Sequence, residues 1–286
     1  MQPGPPALSI LIVNYQCGAY LAECLQSLFA RPPRLSYEVI VVDNASTDDS
    51  IARARALGLP VKWKLLKENT GFGRGNNLAA EEATGKYLLL LNPDTTVLED
   101  SITALVNYCE AHPDVGLAGG HHEGREGGWQ TSFGFPLTVW HEFEYALAPG
   151  RFWRRLPSES PTEPTEVGWL AGSFILIPRV LVERIGLFDV RFFLNDEDID
   201  LALRVREAGY RVVFLPGRGL RHYGGVSRPF LDKESAAIHR SRRYYYRKHH
   251  GWWAVGLFEV ARLLRRGRNW ASAWKRDRAN PQSPRP

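Results

Sequence analysis

The run "YLLLLNPD", residues 87–94, restricts the folds open to this chain more than any other stretch. Four leucines in succession show no alternation, so a strand built from them is covered on both faces, as in a sheet enclosed between helices. Pro93 lacks a backbone donor and ends the strand near Asn92. Asp94 then leaves the sheet at its carboxyl edge, where open parallel sheets hold their ligands. Asn-Pro-Asp is also ordinary turn chemistry, and this segment alone fits either reading.

Strand-like runs and helical patterns alternate through the first 120 residues. "LSILIVNY" precedes "AYLAECLQSLFA", which places Leu21, Cys24, Leu25 and Leu28 on one helical face. "YEVIVVDN" leads into "STDDSIARARALG", where Ser46 or Thr47 is the expected cap and Asp48 and Asp49 suit the first turn. A strand "VKWKLL" precedes the helix entry "NTGFGRGNN", and "SITALVNYCEA" forms a helix before "VGLAGG". The alternation predicts an α/β fold with a Rossmann-like, mostly parallel, doubly wound sheet. Residues 121–165 dissolve into Gly-, Pro- and Trp-rich sequence with one helix near 137–147, the profile of a substrate loop or lid. Order returns with "GWLAGSFILIPR", a charged helix starting in "NDEDIDLALR" and the strand "YRVVFLP", and the last 50 residues read as helical. The expected organisation is one domain over 1–230 and a basic helical extension over 231–286.

The chain of 286 residues is 44% hydrophobic and 12% aromatic, a globular composition. Its three cysteines, Cys17, Cys24 and Cys109, have neither metal-ligand spacing nor an even count, which fits a reducing cytosol. The N-terminal apolar run is strand-sized and lacks a basic leader, and no segment approaches 18 uncharged apolar residues, so a cytoplasmic location is expected. Charge is unevenly spread: residues 1–238 carry a net −6, and the chain from His239 onward carries 13 basic residues against 2 acids. Such a tail calls for an anionic partner, and the acidic main body speaks against nucleic acid. Within the tail, Trp253, Leu257, Val260 and Leu264 form one helical stripe, fit either for the protein's own core or for an anionic membrane surface.

Several motifs bear on chemistry. Gly71-x-Gly73-x-Gly75 is not the dinucleotide fingerprint and follows the third strand, leaving either a phosphate-facing helix terminus or a flexible helix entry. Asp43 ends the second strand as Asp94 ends the fourth; each is a crevice carboxylate or a local cap. Asp196, Glu197, Asp198 and Asp200 crowd one helix start, more acids than capping needs, and their mutual repulsion is expected to raise at least one pKa toward that of a general base. Arg204 is placed to pair with Asp200 one turn on. His222, after the last strand, is a structural histidine or a ligand. The adjacent pairs His121-His122 and His249-His250 do not face alike in helix or strand and are not read as metal sites.

Taken in order, "SILIVNYQ", "VIVVDNASTDDS", "ENTGFGRGNNLA", "LLLLNPDTTV", "GWLAGSFILIPR", "IGLFDVRFFLNDEDIDLALRVREAGYRVVFLP" and "RHYGG" resemble the family 2 glycosyltransferases of GT-A fold, especially their rhamnosyltransferase-like branch. The resemblance implies a nucleoside-diphosphate sugar, dTDP-rhamnose or a UDP-sugar, across the carboxyl edge, and a glycan or lipid-linked acceptor. It implies nucleotide contacts from Asn14, Tyr15, Asp43, Asn69, Gly71, Asn76 and Asn92. Trp169, Gly172 and Asp196 would lie beside the donor sugar and acceptor, and Asp198 with Glu197 would supply the base of an inverting transfer. "NPD" matches the D-x-D motif except that Asn92 replaces the first acid, so Asp94 and His222 would hold Mg²⁺ or Mn²⁺ with one carboxylate fewer. The competing classes are a catalytically inactive nucleotide-sugar-binding relative and a nucleotidyltransferase; the latter commonly has a Gly-rich, Arg-containing loop after its first strand, where this chain reads "NYQCGAYLAEC".

Overall fold

The computed structural model describes residues 4–226 and 234–279. In chain order the elements are β1 (Leu8–Asn14), α1 (Tyr20–Ala30), β2 (Tyr37–Asp43), α2 (Ser50–Arg55), β3 (Val61–Leu65), α3 (Phe72–Ala80), β4 (Tyr87–Leu91), β5 (Thr95–Val97), α4 (Ser101–Ala111), β6 (Val115–Glu123), β7 (Trp129–Gln130) and β8 (Phe133–Gly134). There follow α5 (Val139–Leu147), α6 (Pro149–Trp153), β9 (Thr165–Glu166), β10 (Trp169–Leu170), β11 (Phe174–Pro178), α7 (Arg179–Ile185), α8 (Glu197–Glu207), β12 (Arg211–His222), α9 (Glu234–His250) and α10 (Trp252–Ala279). They fall into two compact units, residues 1–136 with 159–241 and residues 137–158 with 242–286. These limits differ from the expected boundary near 230: the division falls inside α9, and α5 packs with α10 in the second unit.

The first unit is built on a mixed, mostly parallel sheet, ordered β3-β2-β1-β4-β11-β6-β12-β5, with β7 added to β6 and β9 to β12. β3, β2, β1 and β4 run parallel, β12 runs parallel to β6, and β11 is antiparallel between β4 and β6. The central strands are buried on both faces. In β4, Leu89 and Leu91 join one apolar core while Leu88 and Leu90 join the other. In β2, Val39 and Val41 divide from Ile40 and Val42 in the same way. The first core is closed by Leu21, Cys24, Leu25 and Leu28 of α1 and by Ile102, Leu105 and Val106 of α4. The second is closed by Ala79 of α3, Leu181 of α7 and Leu201, Ala202 and Val205 of α8.

Polar side chains fix the connections. The Arg204 guanidinium pairs with the buried Asp200 carboxylate at 2.8 Å and donates to the carbonyls of Ile185, Gly186 and Leu187, fastening the end of α7 to α8. The expected cap of α2 shifts: the helix begins at Ser50, where Asp48 accepts the Ser50 amide and hydroxyl. Ser46 accepts the Gln16 amide instead, because its hydroxyl is used to hold the loop after β1.

In the second unit, Thr138 and His141 cap the start of α5 reciprocally. Glu142 accepts from Arg242 and from the Tyr246 hydroxyl, and Arg268 donates to the Tyr145 and Ala146 carbonyls at the other end of α5. Among the described residues no helix is long and apolar enough to cross a membrane.

Two-sided burial of β4 has a direct test. Leu89→Ala and Leu90→Ala each lower unfolding stability by about 2–5 kcal/mol in urea titrations followed by circular dichroism. A half-exposed strand would instead leave one of the pair within about 0.5 kcal/mol of the parent.

Candidate active site

At the carboxyl edge, β1 and β2 end in register, Asn14 opposite Asp43. The Asn14 amide donates to Asp43 Oδ1 at 2.8 Å and to the Ser50 hydroxyl at 2.9 Å, and Asp43 Oδ2 accepts the Ser46 amide at 3.0 Å. Both side chains are buried, so the pair sets the shape of this end. Asn44 reaches across to the glycine-rich segment: its Oδ1 accepts the Thr70 amide at 3.1 Å and its Nδ2 donates to the Gly71 carbonyl at 3.0 Å. Gln16, Ala45, Asn195 and Asp196 have positive φ, and all four lie in loops after β1 and β2 or just before α8. Left-handed non-glycine backbone costs about 1–3 kcal/mol per residue and concentrates at functional sites.

A crevice of about 240 Å³ opens here. Six of the expected site residues line it: Tyr15, Asn69, Gly71, Asn92, Asp94 and His222. Asn44, Phe72, Phe193, Leu194 and Asn195 complete much of its wall. Asn14, Asp43, Asn76, Trp169, Gly172, Asp196, Glu197 and Asp198 do not line it. Asn76 is buried in α3 with its amide on the Phe72 carbonyl, and Trp169 sits in the short ladder of β10 with β8. The glycines answer to packing as much as to any ligand. Gly71 has φ +87°, and a Cβ there would lie 2.7 Å from the Phe193 carbonyl oxygen; one at Gly75 would lie 2.7 Å from a Val13 methyl.

Asp94 and His222 meet through sheet register. β12 pairs antiparallel with β5 so that His222 stands opposite Thr95, and the Tyr223 amide donates to the Asp94 carbonyl at 3.0 Å. His222 Nε2 lies 3.4 Å from Asp94 Oδ1 and 3.5 Å from the Asn92 amide nitrogen. Asn92 Oδ1 is buried and has no hydrogen-bond partner. No group of three or more His, Cys, Asp and Glu ligands stands together among the described residues. One carboxylate, one imidazole and an orphaned amide oxygen fit a hard divalent cation that takes further oxygens from a diphosphate, and would not by themselves cage one.

Asp198 stands behind this wall. It is half-buried on the first turn of α8, its Oδ2 accepts the Gly172 amide at 3.1 Å and its Oδ1 accepts the Ile199 amide. Phe72 lines the crevice and faces Gly172, where a Cβ would lie 3.2 Å from the ring. Burial lifts the Asp198 carboxyl to about 6; the Gly172 amide pulls it down and the Asp196 charge pushes it up. Glu197 is buried, one of its oxygens has no partner, and its pKa is raised well above the carboxylate range by burial first and by the Asp198 charge second. The expected repulsion is therefore present but secondary. Desolvation leads because the helix start is packed into the fold. Asp196 makes no side-chain cap to α8, so capping does not account for it.

Sequence reasoning passed over His122. It is buried on β6 with Nε2 3.0 Å from the Ser173 hydroxyl, while His121 turns to Ser160. Its ring lies 5.7 Å from that of His222, and burial pushes its pKa well down, keeping it neutral. The Ser173 carbonyl accepts the Asn92 amide, so this buried layer backs the strand end that carries Asn92. Asn44, adjacent to Asp43 at the end of β2, had a usable signal in its position. The Phe193–Asn195 wall had none beyond its closeness to the acids.

The pattern of "Glycosyl transferase family 2" matches residues 9–172. The chain is 28% identical over 271 residues to the N-acetylglucosaminyl-diphospho-decaprenol L-rhamnosyltransferase of Mycobacterium tuberculosis, covering 87% of each chain. It is 28% identical over 235 residues to rhamnosyltransferase WbbL of Escherichia coli K12, covering 78% of this chain and 86% of that one. Among solved structures it resembles GalNAc-T7 with UDP, GalNAc and Mn²⁺, with a TM-score of 0.59 and 16% identity, over 86% of this chain and half of that chain. Its structural neighbours share the GT-A fold.

Gly71→Ala meets both a positive φ and a 2.7 Å approach to backbone. It destabilises the protein by about 1–3 kcal/mol, readable as a lowered melting temperature. An unchanged melting temperature would contradict the assigned geometry.

Proposed function

The chain belongs to glycosyl transferase family 2, and on that premise we propose that it moves a sugar from a nucleoside diphosphate to an acceptor hydroxyl with inversion at the anomeric carbon. The observation that carries this reading is the crevice itself, where Asp94 and His222 converge beside an unpartnered Asn92 oxygen, with Asp198 held close behind Phe72. Rhamnose is the proposed sugar, supplied as dTDP-rhamnose with UDP-sugars as the next class, because two relatives matched over most of the chain are rhamnosyltransferases. A glycan or lipid-linked acceptor follows from the same relatives, one of which is named for a diphospho-decaprenol substrate.

The residues divide the work. Tyr15, Asn69 and Gly71 line the crevice and are the proposed nucleotide contacts, and Asn14 and Asp43 hold the edge against which the base lies. Asp94, His222 and Asn92 would hold Mg²⁺ or Mn²⁺. Such an ion would neutralise charge on the departing diphosphate. Asp198 is the proposed base: its carboxyl near 6 is ionised at neutral pH yet basic enough to accept the acceptor's proton. Gly172 orients it through its amide, and burial raises the neighbouring Glu197 carboxyl well above its ordinary range, which disfavours a second negative charge beside Asp198. The acceptor hydroxyl, giving its proton to this base, bonds to the anomeric carbon from the face opposite the diphosphate as the bond to the diphosphate breaks, and this single displacement inverts configuration. Incubation with labelled nucleotide sugars tests the class: slow release of nucleoside diphosphate without acceptor is expected, and none from any sugar donor would contradict it.

Asp198→Asn keeps the size and removes proton-accepting capacity, so transfer falls by about 10²- to 10⁴-fold with nucleotide binding little changed. In the parent, kcat/KM is lost as pH falls through about 6, because the ionised fraction of a carboxyl raised to that value drops below it. Near-parental turnover by the variant would transfer the role to Glu197 or Asp196. Chelation should abolish transfer, and Mg²⁺ or Mn²⁺ restore it, with Asp94→Ala and His222→Ala each needing more ion. Full activity in excess chelator would contradict the metal assignment.

A further inference from the structure

Helix α10 in the second unit carries two apolar faces, and only one is covered. Ala254, Val255, Phe258 and Ala261 are buried. At about 100° per residue, Trp252, Trp253, Val260, Leu263 and Leu264 gather, with Gly256 and Gly267, into a separate sector of roughly 120°. All five large side chains are exposed, Trp252 by 67%, Trp253 by 61% and Leu263 by 59%. No charged residue enters this sector along the stretch from 252 to 267. Three of the four residues of the stripe read from sequence, Trp253, Val260 and Leu264, thus face solvent, and only Leu257 is half-buried. The side chains of Trp270 and Trp274 lie outside the described residues.

We infer that this face of α10 is a docking surface for an anionic lipid bilayer, lying in the headgroup plane with its tryptophans and leucines inserted. The charge around it selects the occupant. The chain from His239 onward carries 13 basic residues against 2 acids, so a second copy of the same region would be repelled, whereas an anionic leaflet is attracted. Exposed tryptophans on an amphipathic helix of 28 residues, too polar to cross, match an interfacial helix. The inference rests on the proposed function only in giving a lipid-linked acceptor a surface to be met on. Binding needs neither donor nor acceptor, so the two can fail separately.

The test is co-sedimentation of the full-length protein with vesicles of phosphatidylcholine alone and of phosphatidylcholine with phosphatidylglycerol, at low and at physiological salt. Binding to the anionic vesicles is expected, weakening as salt rises and at least tenfold stronger than to neutral ones. Val260→Ser, Leu264→Ser and Trp253→Ser change exposed positions, so circular dichroism should match the parent while each lowers vesicle affinity several-fold. Equal binding to neutral and anionic vesicles, or parental binding by all three folded variants, would overturn the surface. So would a parental dimer in sedimentation velocity that dissociates in the Val260→Ser variant, which would give the face to a second copy.

Discussion

Burial of β1, β2 and β4 on both faces is the constraint from which the rest follows. Leucines and valines send alternate side chains into two cores, leaving no polar position along the middle of the sheet. Polar chemistry is therefore confined to the strand ends. Since β3, β2, β1 and β4 run parallel, those ends share one edge. Asn14, Asp43 and Asn92 follow from this confinement: Asn14 and Asp43 close β1 and β2 and Asn92 follows β4, each a polar residue where the apolar run of its strand ends. Pro93 sharpens the exit by removing a donor where β4 would otherwise continue.

The second half of the first unit supplies what one parallel sheet cannot. β11 enters antiparallel and β12 returns along β6, carrying His222 to the same edge from the opposite end of the sequence. Its pairing with β5 then fixes His222 against Asp94 without any helix contributing. Asp198 comes by a third route, on the first turn of α8, where two successive left-handed residues turn the chain into the helix. Three segments distant in sequence thus converge, and the left-handed backbone at Asn195 and Asp196 is part of the cost of that convergence.

Much of this was legible in the sequence because it depends on local rules. Uninterrupted apolar runs identify doubly covered strands, and helical spacing placed the buried faces of α1 and the Asp200–Arg204 pair. The site residues split by the same criterion. Asp94 and Asn92 follow from strand termination, and both line the crevice. The resemblance implies nucleotide contacts from Asn14, Asp43 and Asn76; the structure shows all three buried and bonded to neighbouring groups, packing that sequence spacing does not reveal. Burial rather than repulsion leads the shift at the acidic helix start because desolvation depends on partners that sequence spacing does not reveal. Adjacent histidines such as His121 and His122 do not face alike, which argues against a shared metal site, yet a single buried member of such a pair can still back a site.

As proposed, the edge holding Asp94, His222 and Asn92 would receive a diphosphate and a divalent ion together, each completing a site that neither fills alone. Binding free energies at such a shared site are reciprocal: the ion must tighten the nucleotide by the factor by which the nucleotide tightens the ion. Titration calorimetry of a nucleoside diphosphate with and without Mn²⁺, in the parent and in Asp94→Ala and His222→Ala, measures that coupling directly. Nucleotide should bind more tightly when Mn²⁺ is present, with the gain reduced in both variants. Equal affinity with and without the ion, or a gain unchanged by both substitutions, would contradict it.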